Sequence, residues 1–282
     1  MIREAGPADR ADLEALHLRR IDGAMFPKAN LRAHGLGAGG FKSNHDHAIR
    51  VWRVGDDNML ALTRGGMLLP LPVVADARRW YAALSGQVAT GAVGPATSVR
   101  PVLDALDLAD LPTRPDEDEP GFALHPRDLR MPGQPGARLV PVLDELRPLP
   151  VDWRATATIE TQAMPADSAR AGAAADVEGL IAGDSHRLLF LKDQRVALTG
   201  FNATLPESVQ VGGVCTPPAF RYRGHARKTV ALHIAKARAA RVLHAVRFPA
   251  TAAAARTDQA IGFQPALAFA QALFTFAVTV AT

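Results

Sequence analysis

The 282-residue chain contains a single cysteine, Cys215. One cysteine excludes an intrachain disulfide and is typical of a protein that works in a reducing compartment. The sequence also lacks an apolar run at its start, because MIREAGPADR is charged from the third residue onward, unlike a secretory signal peptide. We therefore expect a cytoplasmic protein.

The chain has no concentration of charge of one sign. Its formal net charge is +4, and 32 basic residues are interleaved with 28 acidic ones. A nucleic-acid-binding domain normally gathers its basic residues in one patch, so we expect no nucleic-acid partner. The small positive excess suits an anionic cofactor. The length allows one large or two ordinary domains, each with a substantial core.

Charged residues are absent from 259–282, which raises the possibility of a C-terminal membrane anchor. Gly262 and Pro265 interrupt this stretch, however, and glutamines lie within it. The pattern favours two buried strands, at 266–269 and 273–280, over a membrane helix. We therefore expect no membrane partner.

The first half alternates strands and helices in a mixed α/β pattern. After a short initial strand and a helix that opens at Pro7, it predicts strands at 48–54, 59–63 and 67–70, a helix at 75–84, a strand at 87–93 and a helix at 98–106. The acidic, proline-rich run at 107–120 then leads into one short strand at 121–124, and the residues at 125–137 predict a surface connector.

The second half repeats this order of elements. It predicts strands at 138–142, 186–191 and 195–203, a strand that begins at Glu207, a strand at 242–248, and helices at 152–164, 166–181 and 252–261, the second of them capped by Asp167 or Ser168. We predict two domains, 1–128 and 138–282, joined by a linker at 129–137. Each would have a central, mostly antiparallel sheet flanked by helices.

The stretch from 209 to 240 predicts an anion-binding site. A strand at 209–215 ends at Pro217 and Pro218, because proline cannot donate to a sheet ladder. A basic loop follows, and a long helix begins after Gly224, which permits a tight turn. The free N–H groups and positive end of the helix dipole then point into the loop, where they favour a phosphate or pyrophosphate.

This loop, Arg221-Tyr222-Arg223-Gly224-His225-Ala226, resembles the Gln/Arg-x-x-Gly-x-Gly/Ala signature of the GNAT superfamily of N-acetyltransferases. A later segment, from Ala253 to Arg256 and then Ile261-Gly262-Phe263, is similar to that family's second conserved segment. The resemblance covers about 138–275. The first half is similar to a diverged copy without the phosphate loop, which implies a tandem GNAT arrangement.

The resemblance implies that the second domain binds acetyl-CoA. Backbone amides of the loop would hold the pyrophosphate, and its arginines would add charge. Val214 and Thr216 would pair with the pantetheine arm, and the N–H of Val214 would polarise the thioester carbonyl; Gly212 and Gly213 fit the bulge of this strand. The residues assigned to the cofactor are Val214, Thr216, Arg221, Tyr222, Arg223, Gly224, His225, Ala226 and Arg227.

The implied reaction is direct transfer of an acetyl group to an amine of a small molecule or peptide, held in a cleft between the domains. Glu207 is the candidate general base. The family's tyrosine acid is replaced by Asp258, and a nearby asparagine by Thr251. An ionised aspartate cannot donate a proton, so the alternative is a non-catalytic acyl-CoA-binding or regulatory protein.

We assign no catalytic or metal-binding role to the cysteine or to the histidine cluster of the chain. Cys215 lies beside the expected thioester, but we interpret it as a small packing residue, since a nucleophilic thiol needs a depressed pKa. His45-Asp46-His47 resembles a metal-ligand cluster without a third ligand, so we expect no metal. A monomer and a homodimer are both compatible with the sequence.

Overall fold

The computed structural model describes residues 2–72, 78–133, 136–162 and 164–281. Contacts divide the chain into two compact units, the first formed by Met1–Gly121 with Ala266–Thr282 and the second by Phe122–Pro265. This division differs from the boundaries expected from sequence, because it falls before the proposed 129–137 linker and because the last residues return to the first unit.

Helices and strands are numbered in chain order. Up to the middle of the chain they are β1 (Arg3–Glu4), α1 (Arg10–Arg19), α2 (Ile21–His34), β2 (Ile49–Val54), β3 (Asn58–Thr63), β4 (Met67–Leu71), α3 (Arg78–Leu84), β5 (Val88–Pro95), α4 (Ala96–Ala105) and β6 (Thr113–Leu124). The remainder are β7 (Ala137–Pro141), α5 (Pro148–Gln162), α6 (Ala166–Ala182), β8 (His186–Leu191), β9 (Gln194–Thr204), β10 (Ser208–Cys215), α7 (His225–Ala239), β11 (His244–Arg247), α8 (Ala252–Gln259) and β12 (Gln264–Thr279).

Unit 1 is built on strands in the order β1-β2-β3-β4-β5-β12-β6. β4 and β5 run parallel, and β1–β2, β2–β3, β3–β4 and β5–β12 are antiparallel. Helices cover both faces of this sheet, since one core cluster forms around Trp80 and α4, and another around Leu13 and Leu16 of α1. Both leucines are fully buried, so they lie on the inner face of α1.

Unit 2 has the strand order β11-β10-β9-β8-β7, with the last residues of β6 paired antiparallel to β11. Only β10 and β11 run parallel among its described pairs. The β8–β9 hairpin turns at Lys192, whose positive φ of 52° fits a tight connection. Side chains of α7 pack on one face of the sheet and side chains of α5 on the other. The mixed α/β prediction, with a mostly antiparallel sheet in each half, is confirmed.

The end of the chain differs from the prediction of two buried strands. It forms the single strand β12, which pairs with β5 across a register shift between Leu273 and Val278. Its middle residues are buried or half-buried, the residues towards both ends are mostly exposed, and Phe276 is 55% exposed. This stretch lacks charged residues because β12 is an internal strand of the sheet, between β5 and β6, and not because both of its faces are buried.

The strand predicted at 121–124 is longer in the structure, because the acidic segment before it also belongs to β6. The guanidinium of Arg100 on α4 binds the carboxylates of Asp116 and Asp118, two positions that share one face of the strand. This ion pairing compensates for the weak strand propensity of the aspartates. The predicted cap of α6 is also wrong, since Pro165 precedes the helix and supplies no side-chain cap, while Asp167 and Ser168 lie inside its first turn.

No helix in the described part of the chain combines the length and apolar character that a transmembrane segment needs.

Candidate functional site

The central feature of unit 2 is an opening between β10 and β11. The two strands pair in parallel from Ser208 opposite His244 to Val211 opposite Arg247. β11 ends at Arg247, whereas β10 continues to Cys215. The backbone of β10 beyond Val211 therefore has free hydrogen-bonding groups on the β11 side.

The same part of β10 bulges away from β9. The register between these strands shifts between Gly212 and Cys215, and Gly213 has a positive φ of 59°. A Cβ atom on Gly213 would lie 2.3 Å from Nε2 of His186, and one on Gly212 would lie 2.1 Å from the side chain of Asn202. Glycine is therefore required at both positions, and the predicted bulge at this pair is confirmed.

The basic loop turns the chain from β10 into α7. Tyr222 and Gly224 both have positive φ values, of 61° and 75°, and Gly224 is the residue before the helix. The first backbone hydrogen bond of α7 runs from the N–H of Lys228 to the carbonyl of Gly224 at 3.0 Å. The N–H groups of the preceding helical residues have no partner inside the helix, so they are available to an anion.

A cavity of about 490 Å³ joins the opening to this helix start. That volume is within the usual range for small-molecule sites. Eight of the nine residues assigned to the cofactor line it: Val214, Thr216, Arg221, Tyr222, Gly224, His225, Ala226 and Arg227. Arg223, the ninth, is not among the described residues that line the cavity.

The basic groups of the loop have different surroundings. Arg221 is held in place by two hydrogen bonds, from Nη2 to Glu160 at 2.6 Å and from Nε to the carbonyl of Thr216 at 3.0 Å. The bond to Glu160 raises the pKa of Arg221, so its charge is permanent. Burial and the nearby Arg223 lower the pKa of His225, which is therefore neutral at pH 7 and can donate one N–H.

A buried ion pair lies at the point where the strands part. Arg247 Nε is 2.5 Å from Oδ2 of Asp258, and the two residues are 7% and 0% exposed. Burial raises the pKa of Asp258 to about 6, against the opposing effect of Arg247. Arg247 lines the cavity, whereas Asp258 does not. Thr251 also lines it, but its hydroxyl accepts from the N–H of Ala254 at 3.1 Å and caps α8.

Glu207, the predicted base, lies away from this cavity. It precedes β10, and its backbone carbonyl accepts hydrogen bonds from the N–H groups of Leu243 and His244. Seven residues separate it from Val214, a distance of roughly 20 Å along a strand. Glu207 is not one of the described residues that line the cavity. The structure therefore does not place its carboxylate within reach of the opening.

A second cluster lies on the α5 face of the bulge and was missed from sequence. His186 is 1% exposed, with Nδ1 2.9 Å from the hydroxyl of Ser185 and Nε2 without a hydrogen-bond partner. Burial lowers its pKa to about 3, with further lowering by Arg154 and Arg187. The two glycines that give its ring room, at 200 and 213, are the signal that the sequence contained.

Cys215 is a packing residue on this face, as expected. Its Sγ donates to the carbonyl of Trp153 at 3.3 Å, and burial raises the pKa of the thiol to about 11. In the described ranges, no three His, Cys, Asp or Glu side chains are placed to hold a metal ion together. His45 of the suspected metal cluster instead stacks on His34, with ring centroids 4.4 Å apart.

Comparison with known proteins identifies the fold. No protein-family model and no curated sequence matches the chain. A GNAT-family acetyltransferase from Colwellia psychrerythraea is 13% identical with a TM-score of 0.51, and the match covers 98% of this chain and all of the other. A GCN5-related N-acetyltransferase from Kribbella flavida is 15% identical with a TM-score of 0.52, covering 90% and 96%.

A Drosophila protein of known structure gives a TM-score of 0.64 at 13% identity, with coverage of 96% of this chain and 98% of that one. At such identities the likeness concerns the fold alone. It extends over both units, because each match spans at least 90% of the chain. The chain has the fold of GNAT acetyltransferases, which confirms the fold predicted from the resemblance.

Proposed function

We propose that the second unit is an acetyl-CoA-dependent N-acetyltransferase that transfers an acetyl group directly to an amine of a small molecule or peptide. The observation that carries this proposal is the cavity of about 490 Å³ in unit 2. It contains both the unpaired end of β10 and the free amides at the start of α7. A long ligand with a phosphate at one end and an extended polar arm would use both features.

The residues present fit such a ligand. The N–H groups at the start of α7 and the fixed charge of Arg221 would bind the pyrophosphate. The backbone groups of Val214 and Thr216 would pair with the amides of the pantetheine arm, in the place that a strand would otherwise occupy. Gly224 would let the backbone approach the phosphate closely.

When bound, acetyl-CoA supplies an activated acetyl thioester. The N–H of Val214, at the end of the bulge, would donate to the thioester carbonyl oxygen and stabilise the charge that develops there. Because Glu207 is distant from Val214, we assign proton removal from the amine to water or to the acceptor's own solvent shell. The acceptor would approach the bulge from the cavity.

A second candidate function follows from the buried state of Asp258. The family's usual tyrosine acid is replaced by a carboxylate that is fully buried and paired with Arg247. A protein that binds acyl-CoA without transferring the acyl group would have the same phosphate loop. The alternative is therefore a CoA-dependent regulatory protein.

A turnover assay separates the two functions. The purified chain is incubated with acetyl-CoA and a panel of amines, and thiol release is followed with a chromogenic disulfide. Release that depends on one amine, with a matching acetylated product by mass spectrometry, supports the transferase. Tight binding of CoA with no release above background for any amine supports the regulatory alternative.

A further inference from the structure

Arg247 is a buried cation that lines the cavity and has N–H donors without a hydrogen-bond partner in the described part of the chain. Its Nε and Nη1 are both shielded from solvent and have no partner in hydrogen-bond geometry among the described residues, although Nε lies 2.5 Å from Oδ2 of Asp258. Buried N–H donors are nearly always satisfied, because an unmade hydrogen bond costs stability. A guanidinium cannot shed this cost by losing its proton, since it stays charged at any ordinary pH.

Arg247 lies near the part of the cavity where the proposed thioester would bind. Arg247 is the last residue of β11 to pair with β10, and its partner is Val211. Val211 precedes Val214 by three positions along β10. Arg247 therefore lies at the closed end of the opening, where the two strands part, and it lines the same cavity as Val214.

One other titratable group, Cys215, lines the cavity on β10, where burial raises the pKa of its thiol to about 11. The remaining titratable groups that line the cavity belong to the phosphate end. They are Glu160, Arg221, Tyr222, His225 and Arg227, on the basic loop, at the start of α7 and at the end of α5. Arg221 and Glu160 already neutralise each other in an ion pair. Among the described residues that line the cavity, Arg247 is thus the charged group placed at the strand junction.

We propose that Arg247 is a catalytic residue that stabilises the thiolate leaving group of CoA, with Asp258 as the counter-ion that fixes the guanidinium in place. The inference rests on the proposed function and extends it, because it assigns the group that replaces the absent tyrosine acid. Stabilisation is electrostatic, so no proton has to be supplied at the moment of bond cleavage.

The step balances without an acid. The amine nitrogen forms a bond to the acetyl carbon, the carbon–sulfur bond breaks, and its electron pair departs on sulfur. The proton of the amine passes to water. The sulfur leaves as an anion that accepts a hydrogen bond from Nη1 of Arg247, a charge-assisted contact of the stronger class.

The test measures binding, so it requires no knowledge of the acceptor. The affinity of CoA and of desulfo-CoA, which lacks the thiol, is measured by calorimetry between pH 7 and pH 10. In the unmodified protein, we expect Arg247 to lower the pKa of the bound thiol by about one unit or more. CoA should then gain about tenfold over desulfo-CoA as the pH rises.

Two variants distinguish an electrostatic effect from a structural one. The double variant Arg247→Gln with Asp258→Asn removes both charges while keeping the size of each side chain, and its ratio of CoA to desulfo-CoA affinity should not change with pH. Asp258→Asn alone leaves the cation without its counter-ion, so the pKa of the bound thiol should fall further than in the unmodified protein.

The outcomes separate this inference from the proposed function. Equal pH dependence in the unmodified protein and the double variant, with both ligands bound, overturns the role of Arg247 and leaves the CoA site intact. A higher thiol pKa in Asp258→Asn also overturns it. Failure of the unmodified protein to bind either ligand at any pH contradicts the proposed CoA site itself, and the inference falls with it.

Discussion

Val211 and Arg247 form the last pair between β10 and β11, and the strands part immediately after them. β10 then bulges at Gly213, so its backbone turns away from β9 as well. A strand released from both neighbours over a few residues offers N–H and C=O groups to a ligand. This break in pairing thus produces the opening, and the cavity that contains it is lined by residues of the basic loop and by Arg247.

The buried pair between Arg247 and Asp258 predicts an asymmetric response to mutation. Asp258→Ala should destabilise the protein by about 3–5 kcal/mol, because it leaves the guanidinium buried without a counter-ion. The double variant Arg247→Met with Asp258→Leu should be clearly more stable than Asp258→Ala, since it removes both charges. Urea unfolding followed by circular dichroism measures the stability of both variants. A double variant less stable than Asp258→Ala would contradict the assignment of a buried ion pair.

The contact between Gly200 and His186 predicts a strong coupling. A Cβ on Gly200 would lie about 2.1 Å from the imidazole ring, so Gly200→Ala should cost about 1–3 kcal/mol through overpacking. In a His186→Ala background the same change should cost much less, because the obstructing ring is gone. A double-mutant cycle from chemical unfolding checks this, and additive effects would show that the ring and the glycine do not meet.

Three buried histidines predict a loss of stability in mild acid. Burial lowers the pKa of His17, His186 and His233 to about 3, against an unfolded value of 6.5. The unfolded chain therefore binds protons first, so stability is complete above pH 6.5 and is lost as the pH falls. Asp258, with its pKa raised to about 6, opposes this because its folded form takes up the proton first.

The net change from these four groups is a loss of about 3 kcal/mol between pH 7.5 and pH 5.5. Unfolding free energies measured at both pH values test it. His233→Gln removes one of three histidines that each contribute about 1.4 kcal/mol, so it should reduce the net loss by nearly half. A variant that keeps the full loss would show that His233 is protonated in the folded state.

Removal of the negative charge of Glu160 is expected to increase the affinity for CoA. Its carboxylate lies at the phosphate end of the cavity and occupies Nη2 of Arg221. Glu160→Gln should tighten CoA binding by up to about fivefold, because it removes a negative charge near the phosphates and frees the guanidinium. Calorimetry at low and high salt measures the effect, which salt should weaken. Glu178→Gln, on the exposed face of α6, serves as the control and should change nothing.

The parts of the fold set by local chemistry could be predicted from sequence. Pro217 and Gly224 mark where β10 ends and where α7 begins, since each acts through its own backbone. The bulge could be anticipated from two adjacent glycines. The length of β6 could not, because its acidic residues are compensated by Arg100, a contact between residues distant in the sequence.

The basic loop of the candidate site could be recognised in the sequence, whereas the part of the cavity around Arg247 could not. The loop from Arg221 to Arg227 is contiguous in sequence, so a motif describes it. Arg247 becomes part of the cavity only through its pairing with Val211 and its contact with Asp258. The sequence contained one signal for it, the aspartate in place of tyrosine, since a buried carboxylate requires a cationic partner.

The central claim, that unit 2 binds acetyl-CoA through the start of α7, is tested most directly by calorimetric titration with CoA. The unmodified chain should bind, and Gly224→Val should abolish binding, because valine cannot adopt the φ of 75° and would crowd the phosphate. Gly172→Val, at an open position on α6, should bind normally. CoA affinity that is the same in the Gly224 variant as in the unmodified chain would contradict the account.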